Sequence, residues 1–168
     1  KGASGIINKI KRPVTTYGID SNADVSASKI SYNEMKSIFN LAYKGKNLGK
    51  VQLSAPGEHN VLNSLGAAAI GLEMGLDSKI IIEGLKSYDG VRRRFEVKGR
   101  VNNIIVVDDY AHHPTEVTAT LSTAKKSWNR RTIGVFQPHL FSRTKEFYKE
   151  FAAAMMLSDV AIITDIYP

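Results

Sequence analysis

Apolar and polar positions change their rhythm near Gly90. In residues 13–54, short apolar stretches such as 14–17 and 50–53 alternate with turns that contain glycine and asparagine. Short stretches bounded by such turns are typical of strands. We therefore predict a small, partly antiparallel sheet for this part of the chain.

Two helical patterns follow the predicted sheet. Apolar residues recur at spacings of three and four over residues 59–74. Residues 78–88 repeat the pattern after Asp77 or Ser78, either of which can cap a helix. The part of the chain before Gly90 is thus predicted to combine a small sheet with two helices.

Strand and helix patterns alternate after Arg94. Strands separated by helices indicate right-handed βαβ units and a parallel sheet, and an unbroken apolar run indicates a strand buried on both faces. Because the chain stops at Pro168, directly after a strand and without a covering helix, we expect the sheet to belong to a longer protein. The predicted fold class is α/β, with strands over residues 104–107, 133–136 and 160–163 and helices over residues 114–127 and 143–156.

Composition narrows the class of protein. A chain of 168 residues, 43% of them hydrophobic, can bury a substantial core. It has no cysteine, no apolar stretch near the roughly 20 residues that span a bilayer, and no apolar signal-peptide centre in residues 1–13. These features predict a cytoplasmic protein without membrane insertion.

The formal net charge of +7 makes nucleic acid a partner to consider. However, the lysines and arginines are scattered, and the tight cluster among them is residues 92–94. A diffuse positive excess also suits polyanionic small substrates such as nucleotides. We therefore expect no nucleic-acid partner.

Polar groups follow each strand of the predicted parallel sheet. They are residues 108–113, residues 137–139 together with Arg143, and residues 164–165. The carboxyl ends of parallel strands share one edge of a sheet, which is where α/β proteins bind ligands. Three of the four histidines, His112, His113 and His139, lie in these groups. The sequence therefore predicts a binding site at this edge.

Asp108 and Asp109 allow several interpretations. A carboxylate at a strand end can hold a ribose hydroxyl, a cation or an amine, or it can cap the following helix. Strand alternation places the two acids on opposite faces, so we expect different roles for them. A metal site of Asp109, His112 and His139 is conceivable, although the adjacent His112 and His113 cannot readily point at one ion.

Two further clusters suggest anion and nucleotide binding. A helix starting near Leu140 places Arg143 in its first turn, where it can grip a carboxylate or phosphate beside His139, unless it pairs with Glu146. Arg94 follows a turn at the junction of the two parts and can reach a phosphate across a cleft, or it can belong to a solvated basic run. Asn60 and Asn63 lie one helical turn apart, where they can contact a purine edge or cap the helix.

Four motifs, taken in order, resemble the Mur ligases. They are Gly-x-His-Asn-x-x-Asn at 57–63, Gly-Val-x-Arg-Arg-Phe at 90–95, Asp-Asp-Tyr-Ala-His-His-Pro-Thr-Glu at 108–116, and Phe-Gln-Pro-His at 136–139 followed by Ser-Arg-Thr. The resemblance implies that residues 1–91 are the C-terminal part of a P-loop-type central ATP-binding domain. It implies that residues 92–168 begin a truncated Rossmann-like C-terminal domain.

The resemblance also implies an activity. Mur ligases form amides at the expense of ATP, through an acyl-phosphate intermediate, in peptidoglycan biosynthesis. The nine-residue motif has the form expected of the branch that joins L-alanine to UDP-N-acetylmuramate. ATP and Mg²⁺ are the implied cofactors, with the UDP-sugar domain, the P-loop and the metal ligands expected upstream of Lys1. On this basis the chain alone is expected to be inactive.

Residue roles follow from the resemblance by position. Arg94 matches the arginine that reaches the γ-phosphate and counts as catalytic, and Asp109 matches the acid at the ribose. The positions near the adenine are Asn60 and Asn63, and those that receive alanine are Tyr110, His112, His139 and Arg143. Many relatives carry arginine where this chain has Leu140, which would leave Arg143 more of the carboxylate binding or make the position dispensable.

Two other functions remain open at this point. A ligase that recycles murein peptides shares the architecture and would need a larger acceptor pocket. A metal-dependent phosphoesterase could use Asp108, Asp109, His112 and His139.

Overall fold

The computed structural model describes residues 5–20 and 22–168, so residues 1–4 and Ser21 of the predicted central-domain segment lie outside the described residues. A short 3-10 helix, Ile7–Lys9, precedes the main elements. The first part contains β1 (Tyr17–Ile19), β2 (Val25–Asn33), β3 (Lys36–Tyr43), β4 (Lys46–Leu53), α1 (Glu58–Glu73) and α2 (Ser78–Lys86). The second part contains β5 (Glu96–Val101), β6 (Ile104–Asp108), α3 (Pro114–Ser127), β7 (Ile133–Phe136), α4 (Phe141–Met155) and β8 (Val160–Ile163). The predicted α/β class is confirmed.

The first four strands form one sheet in the order β1-β2-β3-β4. β1 runs parallel to β2, and the other pairs are antiparallel, which confirms the predicted mixed sheet. The predicted strand at 14–17 is displaced, because β1 begins only at Tyr17. Asp24 accepts hydrogen bonds from both the N–H and the hydroxyl of Thr16, at 2.9 and 2.7 Å, and so holds the chain just before β1.

α1 and α2 cover one face of this sheet. Inward residues of the strands, such as Phe39 and Leu41, share a core with Leu65 of α1 and Ile81 of α2. Asp77 is the N-cap of α2 and accepts the Lys79 N–H at 2.8 Å. Both helices start within one residue of the predicted positions, because their apolar stripe and cap are local features of the sequence.

The predicted buried parallel strand at 104–107 is wrong in two respects. β6 pairs antiparallel with β5, and Ile104 and Val106 are 63% and 55% exposed. Asn102 and Asn103, both with positive φ (46° and 63°), form the turn of this hairpin, as expected where the two central residues of a tight turn must be left-handed. Strand pairing depends on the partner, and the apolar run alone does not specify it.

The last strand-helix-strand unit matches its prediction. β7 and β8 are parallel, with Ile133 opposite Val160 and Phe136 opposite Ile163. α4 begins two residues before the predicted start, at Phe141. A second core forms where α3 and α4 pack together, and it contains Val117, Leu121, Phe136, Phe151, Ala154 and Met155.

A cleft separates β6 from β7. Within the described residues the two strands share no ladder, so each has one unpaired edge, and the predicted continuous parallel sheet of three strands is not formed. The cleft has a volume of about 600 Å³ and is lined mainly by apolar side chains, including Ile105, Val107, Leu121, Val135 and Phe136. Unpaired edges beside apolar side chains are features of a sheet that can accept a further strand.

Candidate functional site

The junction of the two parts adopts an unusual backbone conformation. Arg93 and Phe95 have φ values of 57° and 52°, a left-handed region that non-glycine residues rarely occupy. The Phe95 ring is 2% exposed and stacks on Trp128 with a centroid distance of 5.4 Å. Arg94, between the two, has an exposed side chain. The junction is therefore anchored on both sides of Arg94.

Asp108 and Asp109 both contact this junction. Asp108 Oδ2 lies 3.4 Å from Arg93 Nε, and Asp109 Oδ2 accepts the Phe95 N–H at 2.8 Å. The guanidinium of Arg93 also lies 4.6 Å from the centre of the Tyr110 ring. The two acids thus have different partners, as alternation along the strand predicts.

The cap of α3 is His113, which excludes the interpretation of Asp108 or Asp109 as its cap. The His113 ring accepts the Thr115 N–H at 3.4 Å. The Glu116 carboxylate accepts the His112 and His113 N–H groups at 2.9 and 3.1 Å. This reciprocal capping box places Tyr110 and His112 directly before the N-terminus of α3.

The Glu116 carboxyl favours its ionised form in this capping box. Burial by itself raises the pKa of the carboxyl, but the N–H groups of His112 and His113 and the electrostatic influence of His112 and Arg94 together lower it below its ordinary value. A depressed pKa means that the folded state prefers the ionised form. The cap is therefore strongest when Glu116 is ionised.

We predict that Glu116→Gln weakens the acid sensitivity of the fold. Because the folded pKa is depressed, Glu116 stabilises the protein fully above its unfolded pKa of about 4.3, and this contribution is lost as the pH falls through the folded value. Urea unfolding of wild type and variant at pH 7 and at pH 3 should show a difference that shrinks on acidification. Glu150→Gln, an exposed acid on α4, is the control, and a difference that stays constant with pH would contradict the prediction.

His59 joins this cluster from the first part of the chain. Burial lowers the pKa of His59, and Arg94 lowers it further while Asp109 opposes both. These influences place the imidazole within electrostatic reach of Arg94 and Asp109. The sequence predictions did not include His59, although it stands inside the Gly-x-His-Asn motif and is the one remaining histidine of the four.

A close backbone approach brings the two parts together beside His59. Gly57 has a φ of 103°, and a Cβ at this position would lie 2.5 Å from Thr123 Oγ1 and 2.9 Å from the His59 ring. Only glycine fits such a position. Across the same contact, Glu58 Oε2 lies 3.9 Å from Lys126 Nζ.

Asn60 and Asn63 differ in their surroundings. The Asn60 side chain donates to the Pro56 carbonyl at 2.8 Å and is partly buried, whereas Asn63 is exposed one turn later on α1. Asn60 therefore stabilises the entry to α1, with its amide oxygen left to accept a further bond. Both asparagines lie on α1, the helix that also carries His59.

The residues predicted to receive the amino acid form two neighbouring groups. In the first, the rings of Tyr110 and His112 lie 5.2 Å apart, and Arg143 Nη1 approaches the His112 carbonyl at 3.5 Å. Arg143 lies in the first turn of α4, as predicted. Within the described residues, Arg143 forms no ion pair with Glu146, so the interpretation as a surface pair is wrong.

His139 belongs to the second group. Its ring stacks on Tyr167 with a centroid distance of 5.6 Å and an interplanar angle of 17°. The Leu140 N–H donates to the Tyr167 carbonyl at 2.9 Å, and Leu140 is the left-handed N-cap residue of α4, with a φ of 69°. The loops after β7 and β8 are thus tied together, as expected for strand ends at one edge of a sheet.

In the part of the chain that the structure describes, no group of three histidine or acidic residues is arranged to hold a metal ion. The conceivable site of Asp109, His112 and His139 is not formed there. Over the same residues, no helix is long and apolar enough to cross a membrane.

Comparisons with known proteins match both parts of the chain. The model of the Mur ligase middle domain matches residues 3–71, and that of the Mur ligase glutamate ligase domain matches residues 93–168. The UDP-N-acetylmuramate–L-alanine ligases of Geotalea daltonii and Chlorobaculum tepidum are each 48% identical over 97% of this chain. The chain spans about a third of the length of these relatives, 36% and 35%.

Solved structures give the same result. The chain is similar to the crystal structure of UDP-N-acetylmuramate–alanine ligase from Thermotoga maritima, with a TM-score of 0.78 and 33% identity over 91% of this chain and 34% of that one. A murein peptide ligase from Psychrobacter arcticus has a TM-score of 0.63 and 28% identity, with 95% of this chain and 34% of that one covered. The chain belongs to the Mur ligase family.

Proposed function

We propose that this chain is part of an ATP-dependent ligase that joins L-alanine to UDP-N-acetylmuramate in peptidoglycan biosynthesis. Its relatives at 48% identity carry that name. In this proposal residues 1–91 are the C-terminal part of the central domain and residues 92–168 begin the C-terminal domain. The cleft between two unpaired strand edges supports the second assignment, because such edges can accept a further strand.

The observation that carries the proposal is the meeting of motifs from both parts at one place. The Gly-x-His-Asn motif touches α3, where a Cβ on Gly57 would lie 2.5 Å from Thr123 Oγ1 and Glu58 lies 3.9 Å from Lys126. Asp109 and Arg94 both influence the pKa of His59 in this motif. A nucleotide bound here would contact both parts at once. Such an arrangement suits a reaction that starts when two domains close around ATP.

For ATP, we propose that Asn60 and Asn63 contact the adenine, Asp109 the ribose and Arg94 the γ-phosphate. Asp109 uses one carboxylate oxygen for the Phe95 N–H, which leaves the other to accept a ribose hydroxyl. The exposed guanidinium of Arg94 can neutralise charge on a phosphoryl group in transfer.

Mg²⁺ is the second proposed cofactor, and it would shield the phosphate charges of ATP. The described residues offer no group of three suitable ligands. We therefore assign it no residue in this chain.

For alanine, we propose a pocket formed by Tyr110, His112, His139 and Arg143. Arg143 would hold the carboxylate, since a guanidinium at a helix N-terminus favours an anion. The muramate carboxylate attacks the γ-phosphorus of ATP, which releases ADP and leaves an acyl phosphate. The alanine amine then attacks the acyl carbon, and phosphate leaves as the amide forms and the amine loses a proton.

We predict that L-alanine, and not a murein tripeptide, stimulates phosphate release by the full-length protein with ATP and UDP-N-acetylmuramate. The acceptor pocket in this proposal is built for one small amino acid. A steady-state phosphate assay with each acceptor distinguishes the alanine ligase from the murein peptide ligase. Stimulation by the tripeptide alone would overturn the proposal.

The remaining alternatives have less support. A metal-dependent phosphoesterase would need Asp108, Asp109, His112 and His139 around one ion, but the two acids bind Arg93 and the Phe95 N–H instead. We propose no nucleic-acid partner and no membrane insertion. The cysteine-free composition supports a cytoplasmic location.

A further inference from the structure

The two residues that flank Arg94 are held in an unfavourable backbone conformation. Arg93 and Phe95 both lie in the left-handed region, which is unfavourable for a non-glycine residue. Such strain persists only where surrounding contacts enforce it, and it concentrates at functional sites. The contacts that hold Arg93 and Phe95 in this conformation therefore indicate which residues shape the site around Arg94.

Two carboxylates hold this conformation through the backbone. Glu96 Oε2 accepts the Arg93 N–H at 2.8 Å, and Asp109 Oδ2 accepts the Phe95 N–H at 2.8 Å. The Arg93 carbonyl in turn accepts the Tyr110 N–H at 2.7 Å. Glu96 is the first residue of β5 and is paired opposite Asp108 of β6, so the carboxylate that reaches back to Arg93 is mounted on a hairpin.

Arg94 lies between these two fixed N–H groups. Its own N–H donates to the Val91 carbonyl at 3.2 Å, and its guanidinium forms no hydrogen bond or ion pair with any residue the structure describes. The hydrogen bonds on either side therefore fix the backbone from which the Arg94 side chain leaves. Its charge nevertheless contributes to lowering the pKa of both His59 and Glu116.

We propose that Glu96 is a positioning residue for Arg94, acting through its hydrogen bond to the Arg93 N–H. This inference rests on the proposed function, in which Arg94 reaches the γ-phosphate of ATP. Asp109 forms the matching bond on the other side of Arg94, so the acid proposed for the ribose also fixes the arginine proposed for the phosphate. Glu96 has no other part in that site and can be tested separately.

The ion pair of Glu96 offers a competing explanation. Its second oxygen, Oε1, accepts from Lys98 Nζ at 3.1 Å. The pKa of Glu96 lies below its ordinary value chiefly because of the Arg93 N–H, with Lys98 next. If Glu96 served only to pair with Lys98 on the surface of β5, removing either partner would have the same small effect.

The test uses kinetics of the full-length protein with ATP, UDP-N-acetylmuramate and L-alanine. We expect Glu96→Ala to lower kcat about tenfold, the size of one lost hydrogen bond to a charged group, with KM for ATP almost unchanged. Glu96→Gln should restore most of kcat, because its amide oxygen can still accept the Arg93 N–H. Threonine suits a strand, but its side chain is too short to reach the Arg93 N–H. Glu96→Thr should therefore behave like the alanine variant, and it replaces that variant in the test if Glu96→Ala is unstable.

A double-mutant cycle separates positioning from a general structural role. If Glu96 acts through Arg94, Glu96→Ala should change kcat by less than about twofold in an Arg94→Ala background. Full additivity would overturn the proposal, and so would a Lys98→Ala variant as slow as Glu96→Ala. If Arg94→Ala leaves turnover intact, or L-alanine does not stimulate phosphate release, the proposed function itself fails. If Arg94→Ala does slow turnover and L-alanine does stimulate phosphate release, but Glu96→Ala is fully active, only this inference fails.

Discussion

Replacing Arg94 by alanine is expected to lower kcat of the full-length protein by about a thousandfold, a typical cost of removing a group that neutralises transition-state charge. KM for ATP should change far less, because in our proposal the exposed guanidinium forms its phosphate contact only when the two domains close. A contact made mainly in the transition state affects kcat and spares ground-state binding. Steady-state kinetics over a range of ATP concentrations measure both constants.

Arg92→Ala is the matched control for this experiment. Arg92 is an exposed arginine of the same basic run, so it tests whether the loss of any positive charge near the junction slows the enzyme. We expect near wild-type kinetics for it. A rise in KM for ATP with kcat preserved in Arg94→Ala would contradict the assignment, because it would show that Arg94 only helps ATP to bind.

Replacing Arg143 by alanine should raise KM for L-alanine by about a hundredfold. A hydrogen-bonded charge pair contributes up to about 3 kcal/mol, and Arg143 is the cation placed beside Tyr110 and His112 in the first turn of α4. Its bond to the His112 carbonyl is long, at 3.5 Å, so most of its donors remain available for a ligand. Titration of L-alanine at saturating ATP and UDP-N-acetylmuramate gives KM directly.

Two comparisons sharpen the Arg143 experiment. Arg143→Lys should recover only part of the affinity, because an ammonium cannot form the planar double contact of a guanidinium. Lys145→Ala, an exposed cation on the same helix, should leave KM for L-alanine unchanged. If Arg143→Ala instead raises KM for ATP, the residue belongs to the nucleotide site and our assignment is wrong.

Several elements could be predicted from the sequence because they depend on near neighbours. The helix beginning at Pro114 starts where predicted, since proline at the first turn is a local signal. The β7-α4-β8 unit was also predicted from local signals, namely the alternation of strand and helix patterns along the chain. Its strands have the predicted bounds. The four motifs that place the chain among the Mur ligases are also local, with fixed spacing along the chain.

Strand pairing and side-chain partners could not be predicted in this way. The run at 104–107 has the composition of a buried parallel strand, yet β5 pairs with it in an antiparallel hairpin and leaves one edge open to the cleft. The partner of a strand is chosen by residues elsewhere in the chain, and an apolar run is compatible with several partners. The prediction failed because the local apolar pattern of a strand does not determine which other strand pairs with it.

Local features of the sequence were enough to predict the α/β class, the positions of the helices, the family and the residues proposed to bind ATP and alanine. The influence of Asp109 and Arg94 on His59, and the hydrogen bonds by which Glu96 and Asp109 fix the strained backbone around Arg94, arise only in the folded chain. Distance along the chain explains this difference. Caps, turns and motifs act within a few residues, whereas the approach of His59 to Asp109 requires that two parts fold and pack against each other.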